Sequence, residues 1–417
     1  MINPLLIKRK TLPNGIRFVQ FQRPQRTTAQ LSVVIEYGSK SNSERNAGLA
    51  HFLEHMVGGG SEERIKATLS IEQNGGYLNF WTFHEHTMGY ADVFREKINE
   101  TSKCLSKLFF ENDFEAKKFD LEKKIILNEI NDSSDNPLDV VDEMLKKNLY
   151  KIHPVRHPIL GYHKTVSQFS IDEIIETQQT HYTPQNTILI LSGKYSDKDV
   201  ELIEQNFVEI KKSKTALKRH KCVKEGEPKK ISNKTKAGIS QTYLRFGYRT
   251  AFGKHPDNPA IELFSTIMGN GAISRLFREL REKRGLAYDI QSSNCKGQDF
   301  GFFSIDCSVK PSKIKETTEL ILKEITNLKT KKISDNELLK GKKMITGDYF
   351  RSIDDSLSLH TILAVLETLF PDEYAIPKYL EKIKLVSAED LIEVANKYLG
   401  ESKLSKAILT PEKMDQA

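Results

Sequence analysis

The sequence has 417 residues, 38% hydrophobic and 29% charged, with a net charge of +7 at neutral pH. This composition excludes a disordered chain, and the length exceeds one ordinary core, so two domains of roughly 200 residues are expected. No apolar run approaches the ~20 residues needed for a helix to cross a bilayer, which excludes a membrane-spanning helix, and a charge this modest is no argument for nucleic-acid binding.

The opening stretch MINPLLIKRKTLPNG has too few apolar residues before Lys8, Arg9 and Lys10 for a signal peptide, so a cytoplasmic location is expected. Cys104, Cys222, Cys295 and Cys307 are scattered without a C-x-x-C pair, which indicates neither a thiolate zinc site nor a disulfide framework. From Ala29, AQLSVVIEYGSKSNSERNAGLAHFLEHM passes from an alternating strand through a glycine turn and a polar loop into an apolar-periodic helix. On that helix Leu49, Phe52, Leu53 and Met56 form one stripe, and His51, Glu54 and His55 fall opposite it. Two imidazoles one turn apart can grip one ion, with a carboxylate beside them; the alternative is a polar face turned to solvent. Gly58, Gly59 and Gly60 end the helix and are no phosphate loop, because no Gly-Lys-Ser/Thr follows.

NGGYLNFWT, from Asn74, reads as a turn followed by a strand. His84 and His86 alternate to one side of that region; lacking a third ligand, they are read as surface or rim residues. The segment from Phe114, FEAKKFDLEKKIILNEINDSSDNP, reads as a helix ending before the Asp-Ser-Ser-Asp-Asn-Pro turn. Glu122 and Glu129 share a stripe with Ile125 and Ile126, so they should point inward, where a carboxylate needs a cation or donors. A solvated glutamate is the alternative for Glu122.

Residues 211–229 form a lysine-rich stretch without interleaved aromatics, which reads as a solvated linker and domain boundary rather than a nucleic-acid arm. Beyond it the pattern repeats. SQTYLRFGYRTAFGKHPDNPAIELFSTIM, from Ser240, follows the Ala29 segment element for element, and VSAEDLIEVANKYLG, from Val386, echoes FSIDEIIETQQTHYTP, from Phe169, each with a serine placed to cap its helix. The expected fold is α+β: two homologous domains from an internal duplication, residues 1–210 and 230–417, each a mixed β-sheet packed with helices. In the second copy Glu262, Ser265 and Thr266 stand where the first has His51, Glu54 and His55. The duplicated fold therefore does not require the histidines.

H-x-x-E-H at His51 to His55, followed by E-x6-E at Glu122 and Glu129, resembles the pitrilysin-type zinc peptidases, the inverzincins, and among them the short two-domain type related to mitochondrial processing peptidase. The resemblance covers nearly the whole chain, including NGGYLNFWT and SRLFRELREKRGLAY. It implies one Zn2+ per chain on His51, His55 and Glu129, Glu54 as general base, and Glu122 as a supporting carboxylate. It further implies that the strand after Asn74 pairs with the backbone of a peptide substrate through Asn79, with Phe80 beside it where relatives have a small residue. Gly58 likewise stands where relatives have an aromatic. Arg281 and Tyr288 are spaced like a pair that family members bring to the active site from a domain remote from the zinc. Because longer members carry four such domains, a homodimer is implied, acting on peptides or unfolded segments in an enclosed chamber. The alternative is a non-catalytic scaffold or processing-complex subunit on the same fold.

Overall fold

A computed structural model describes residues 7–211, 224–370 and 375–412. Most of the lysine-rich linker, and Cys222 within it, lie outside the described residues. In the first half β1 (Ile7–Thr11), β2 (Arg17–Gln22) and β3 (Thr28–Ile35) lead into α1 (Leu49–Gly59) and α2 (Glu62–Gln73). The hairpin β4 (Tyr77–Thr82) and β5 (Thr87–Phe94) follows, then α3 (Ile98–Phe110), α4 (Ala116–Asp135), α5 (Pro137–Leu149), α6 (His163–Gln168), α7 (Ile171–His181), β6 (Thr187–Gly193) and α8 (Asp197–Val208). The second half holds β7 (Ile231–Lys236), β8 (Thr242–Arg249), α9 (Asn258–Gly269), β9 (Ala287–Lys296), β10 (Gly301–Val309), α10 (Ile314–Thr330), α11 (Asp335–Asp354), α12 (Ser356–Leu369), α13 (Ala375–Leu385), α14 (Ala388–Tyr398) and β11 (Ser405–Pro411).

The duplication is written in the sheets. The first runs β1-β2-β6-β3-β5-β4 and the second β7-β11-β8-β10-β9. Apart from the extra edge strand β1, the two have the same order and sense: one parallel pair (β2 with β6, β7 with β11), then three antiparallel pairs. Both are mixed sheets packed with helices. The paired capping serines act as their positions predict, Ser170 Oγ accepting from Glu173 N at the start of α7 and Ser387 Oγ from Asp390 N at the start of α14.

The chain divides into two compact units that trade helices. Residues 132–156, with α5, pack with the second sheet, and residues 351–375, with α12, pack with the first. Each traded helix is keyed by polar groups. On α12, His360 sits between Ser32 of β3 and Ser192 of β6, with Nδ1 2.7 Å from one hydroxyl and Nε2 2.8 Å from the other. On α5, Asp142 pairs with Arg245 of β8, and Asn148 Nδ2 donates to Ser232 Oγ at 2.8 Å and to the Lys406 carbonyl at 3.0 Å.

Two local expectations are corrected. Helix α4 runs through Asp132–Asp135 rather than stopping before them, because that stretch contains no glycine or proline; the break comes at Asn136, whose side chain caps α5 by accepting from Leu138 N, with Pro137 as the first residue of α5. Ile126 is fully buried, but Ile125 is 38% exposed, being a sixth of a turn off the stripe that joins Glu122 to Glu129. Among the described residues no helix is long and apolar enough to cross a membrane, and Cys104, Cys295 and Cys307 are free thiols.

Candidate metal centre

Helix α1 starts at Gly48, whose φ of +98° and whose approach to the Leu160 carbonyl leave no room for a Cβ. Its apolar stripe is pinned in the core: Phe52, Leu53 and Met56 are fully buried. At its far end the buried guanidinium of Arg64 donates to the carbonyl oxygens of Val57 and Leu108 and, from Nε, to Asp113 at 2.8 Å. Held at both ends, the helix turns its other face toward α4 and β4.

On that face the His51 and His55 rings lie 4.7 Å apart, edge to face. Glu129 Oε2 of α4 stands 3.6 Å from His51 Nε2 and 3.5 Å from His55 Nε2. Atoms bound at about 2.1 Å to one tetrahedral ion stand about 3.4 Å apart, so these three fit as three corners of such a site, and two nitrogens with one oxygen is a donor set suited to zinc. Among the described residues this is the one group of three or more His, Cys, Asp and Glu side chains whose ligand atoms come together. Glu122 Oε2 lies 2.9 Å from His55 Nδ1, orienting the ring, and a Cβ at Gly59 would overlap the Glu122 carboxylate. Glu54 Oε2 accepts from Thr82 Oγ1 at 2.9 Å and lies 4.0 Å from His51 Nε2. His51 Nδ1 is buried with no hydrogen-bond partner among the described residues.

The electrostatics of these groups are those of a cation site. Burial, with the charge of His55, pushes His51 down to about 3. Burial acts against His55 as well, but its bonds to Glu122 and Glu129 outweigh that and hold it up at about 10. Glu129 is drawn down, first by its bond to His55, and burial raises Glu54. The protein groups alone thus keep a proton on His55. A divalent ion at the same atoms would compete with it, coupling metal uptake to proton release.

The remaining sequence-derived residues are placed as follows. Asn79 is exposed on β4, which is the edge of its sheet; its Oδ1 accepts from Phe80 N at 2.9 Å. Phe80 is half-buried against Gly58. Arg281 and Tyr288 come together in the second unit, the guanidinium 4.9 Å from the Phe277 ring and 4.8 Å from the Tyr288 ring, with Tyr288 76% exposed. His84 Nδ1 is engaged by Ser39 Oγ at 2.9 Å. His86 is not a rim residue: it is 1% exposed and packs on the Phe83 ring. Sequence pattern points to neither Thr82 nor Arg64 as a site residue. Strand alternation puts Thr82 on the same face of β4 as Leu78 and Phe80, which is the one signal it carries; Arg64 gives no local signal.

Residues 17–162 match the family model described as insulinase (peptidase family M16), and residues 168–345 match the M16 inactive domain. The chain is 27% identical over 410 residues to the uncharacterized zinc protease YmxG of Bacillus subtilis, covering 97% of this chain and 98% of that one. It is 28% identical to an uncharacterized zinc protease of Rickettsia felis, with 96% of each covered. Among solved structures, a protease from Helicobacter pylori shares the fold with a TM-score of 0.91 at 21% identity, covering 97% of this chain and 99% of that one. Matched in both halves by models of one family and aligned end to end with proteins named zinc proteases, the chain belongs to peptidase family M16.

Proposed function

We propose that this protein is a zinc-dependent endopeptidase acting on peptides or unfolded segments. The observation that carries the reading is the convergence of His51 Nε2, His55 Nε2 and Glu129 Oε2 beside a largely buried Glu54. These three residues would hold the ion, with Glu122 fixing His55. When bound, zinc supplies Lewis acidity at the one coordination position that three protein ligands leave open. Glu54 takes the proton of the attacking water and delivers it to the leaving amine. Thr82 fixes the Glu54 carboxylate by donating to Oε2, the oxygen 4.0 Å from His51 Nε2, and the raised proton affinity of the largely buried carboxylate suits it to the exchange.

The substrate backbone lies along the open edge of β4, near Asn79, where main-chain pairing gives affinity with little sequence demand. Arg281 and Tyr288 donate to the substrate carbonyl and to its developing negative charge from a second copy of the chain, so the working form is a homodimer. Supporting this division of labour, the ligand set and the Arg–Tyr pair lie in different compact units of one polypeptide.

The test is cleavage of a quenched fluorescent peptide library with metal content measured in parallel. One zinc per chain, activity abolished by a chelator and restored by zinc, and activity that sediments with the dimer are expected. A protein that held stoichiometric zinc and cleaved nothing would sink the peptidase reading, and a fully active monomer would sink the dimer.

A further inference from the structure

We infer that Lys40 and Glu85 are positioning residues for the reaction: their buried ion pair seats the turn between β4 and β5 on the loop that leads into α1, and so sets Thr82 against Glu54. The inference rests on the proposed peptidase activity. Residues 83–86 form that turn, directly after Thr82, and Thr82 faces Thr87 as the last pair of the hairpin. Glu54 accepts from Thr82 Oγ1 at 2.9 Å, so the seat of the turn decides where this donor stands. The loop of residues 37–42 touches both sides of the contact. Toward the turn, Ser39 N donates to the Phe83 carbonyl at 2.9 Å and Lys40 N to the His84 carbonyl at 3.0 Å, while the Tyr37 carbonyl accepts from Thr87 Oγ1 at 2.9 Å. The approach is backbone to backbone: a Cβ at Gly38 would stand 2.5 Å from His86 N and from the Phe83 carbonyl oxygen. Toward the helix, Asn42 Oδ1 accepts from Ala50 N at 3.1 Å, in the first turn of α1, and Asn42 Nδ2 donates to Tyr37 Oη at 2.7 Å. The loop is a strut between hairpin and metal helix.

Main-chain bonds of this kind are blind to side-chain identity, so they do not by themselves say which residue of the turn meets which residue of the loop. That choice falls to the side chains. Lys40 Nζ lies 2.7 Å from Glu85 Oε2, with the two side chains 6% and 10% exposed, and Ser39 Oγ lies 2.9 Å from His84 Nδ1 beside them. A buried ion pair adds little net stability, because desolvating two charges offsets their attraction; replaced together by apolar groups of similar size, such pairs leave stability unchanged or raise it. What the pair supplies is a single seat, since a buried charge moved off its partner is costly. The other buried polar side chain of the turn adds no such lock: His86 is 1% exposed, and neither ring nitrogen has a hydrogen-bond partner among the described residues.

The experiment compares the wild type with Lys40→Met/Glu85→Leu, which removes both charges, and with Lys40→Glu/Glu85→Lys, which exchanges them. Zinc content, Tm, and kcat and KM on a quenched fluorescent peptide are measured for each, and crystal structures read the Thr82–Glu54 contact directly. The apolar variant should hold zinc as the wild type does, keep an equal or higher Tm, lose kcat by about tenfold with KM unchanged, and show that contact broken. The exchanged pair should recover most of the kcat. Because the pair acts through Thr82, its effect should vanish in a Thr82→Val background. If the wild type cleaves and the apolar variant keeps kcat within about twofold, or loses kcat by the same factor when Thr82 is already Val, the inference is overturned while the peptidase reading stands. If the wild type holds zinc and cleaves nothing, the peptidase reading falls and the structures decide the seating: a contact kept at 2.9 Å in the apolar variant overturns it, and a broken one upholds it.

Discussion

Helices α1 and α9 are the same element of a duplicated unit, and they have solved the same electrostatic problem in two ways. In α9 the position of His51 is taken by Glu262, whose Oε2 accepts from Lys296 Nζ at 2.6 Å and Asn294 Nδ2 at 3.1 Å. Burial acts against the charge on Lys296, but Glu262 outweighs it and keeps the ammonium protonated. Ser265, in place of Glu54, donates to Ser292 Oγ at 3.4 Å, and Thr266, in place of His55, donates back to the Glu262 carbonyl. Every residue of α9 except Glu262 is buried. The second unit therefore carries its own cation and closes the face, whereas α1 presents converging imidazoles and carboxylates that call for one from outside. The fold supplies the platform; three side-chain identities decide whether it is a packing surface or a reactive one.

The sharpest break in this comparison is Glu54→Gln. It keeps the shape of the side chain and a group for Thr82 to bond, but cannot take a proton. Turnover should fall by about a hundredfold to ten-thousandfold with zinc content unchanged. Loss of zinc along with turnover would show that Glu54 belongs to the ligand set instead. Glu122→Gln should act on the other side of the site: with the charged partner of His55 Nδ1 gone, zinc affinity should weaken by about 10–100-fold, measured by competition with a chromophoric chelator. An unchanged affinity would mean that the 2.9 Å contact does not tune the ring.

The same comparison predicts a stability effect in the second unit. Lys296→Met leaves Glu262 without its ammonium. Removing one partner of a fully buried pair costs about 3–5 kcal/mol, but the Glu262 side chain retains 29% exposure, so about 2 kcal/mol is expected. Calorimetry should show this loss, and Glu262→Gln should relieve part of it in the Lys296→Met background. If Lys296→Met were neutral, the ammonium would not be what closes the duplicated face.

The two helices also mark how far local pattern reaches. The apolar stripe of α1 and the polar face opposite it follow from helical periodicity, so His51, Glu54 and His55 were legible from spacing and from their absence in the second copy. Glu129 was legible only with the Glu122 stripe and the family resemblance, because nothing local says that α4 lies across α1. Thr82, Arg64 and Lys296 act through contacts with residues far away in the chain. The identity of such residues carries no periodic signal; only the packed fold selects them. The traded helices are a larger case of the same limit. Sequence order put α5 with the first half and α12 with the second, and the preference of each for the other sheet is made by side chains such as His360 and Asp142 that read as ordinary polar residues.

The traded helices give the last prediction: His360, which keys α12, and Asp306 of β10, which shares Arg245 with Asp142 of α5, titrate in opposite directions. Burial, with Arg23 nearby, pushes His360 from 6.5 down to about 3. Between these values the unfolded chain holds a proton that the folded one lacks, so this contribution is complete above pH 6.5 and declines on acidification, by at most about 1.4 kcal/mol per pH unit. In the second unit Asp306, paired with Arg245 at 2.5 Å, is raised by burial from 3.8 to about 6. There the folded state holds the extra proton, so stability is complete below pH 3.8 and is lost as pH rises to about 6. Its slope is smaller, because the side chain keeps 27% exposure. Unfolding followed by hydrogen exchange from pH 7 to pH 5 should therefore show the first unit weakening and the second gaining slightly. His360→Gln should flatten the first trend and Asp306→Asn the second, whatever their absolute stabilities. Parallel trends in the two units would mean that His360 and Asp306 do not govern the acid response, and that the groups around the metal centre do.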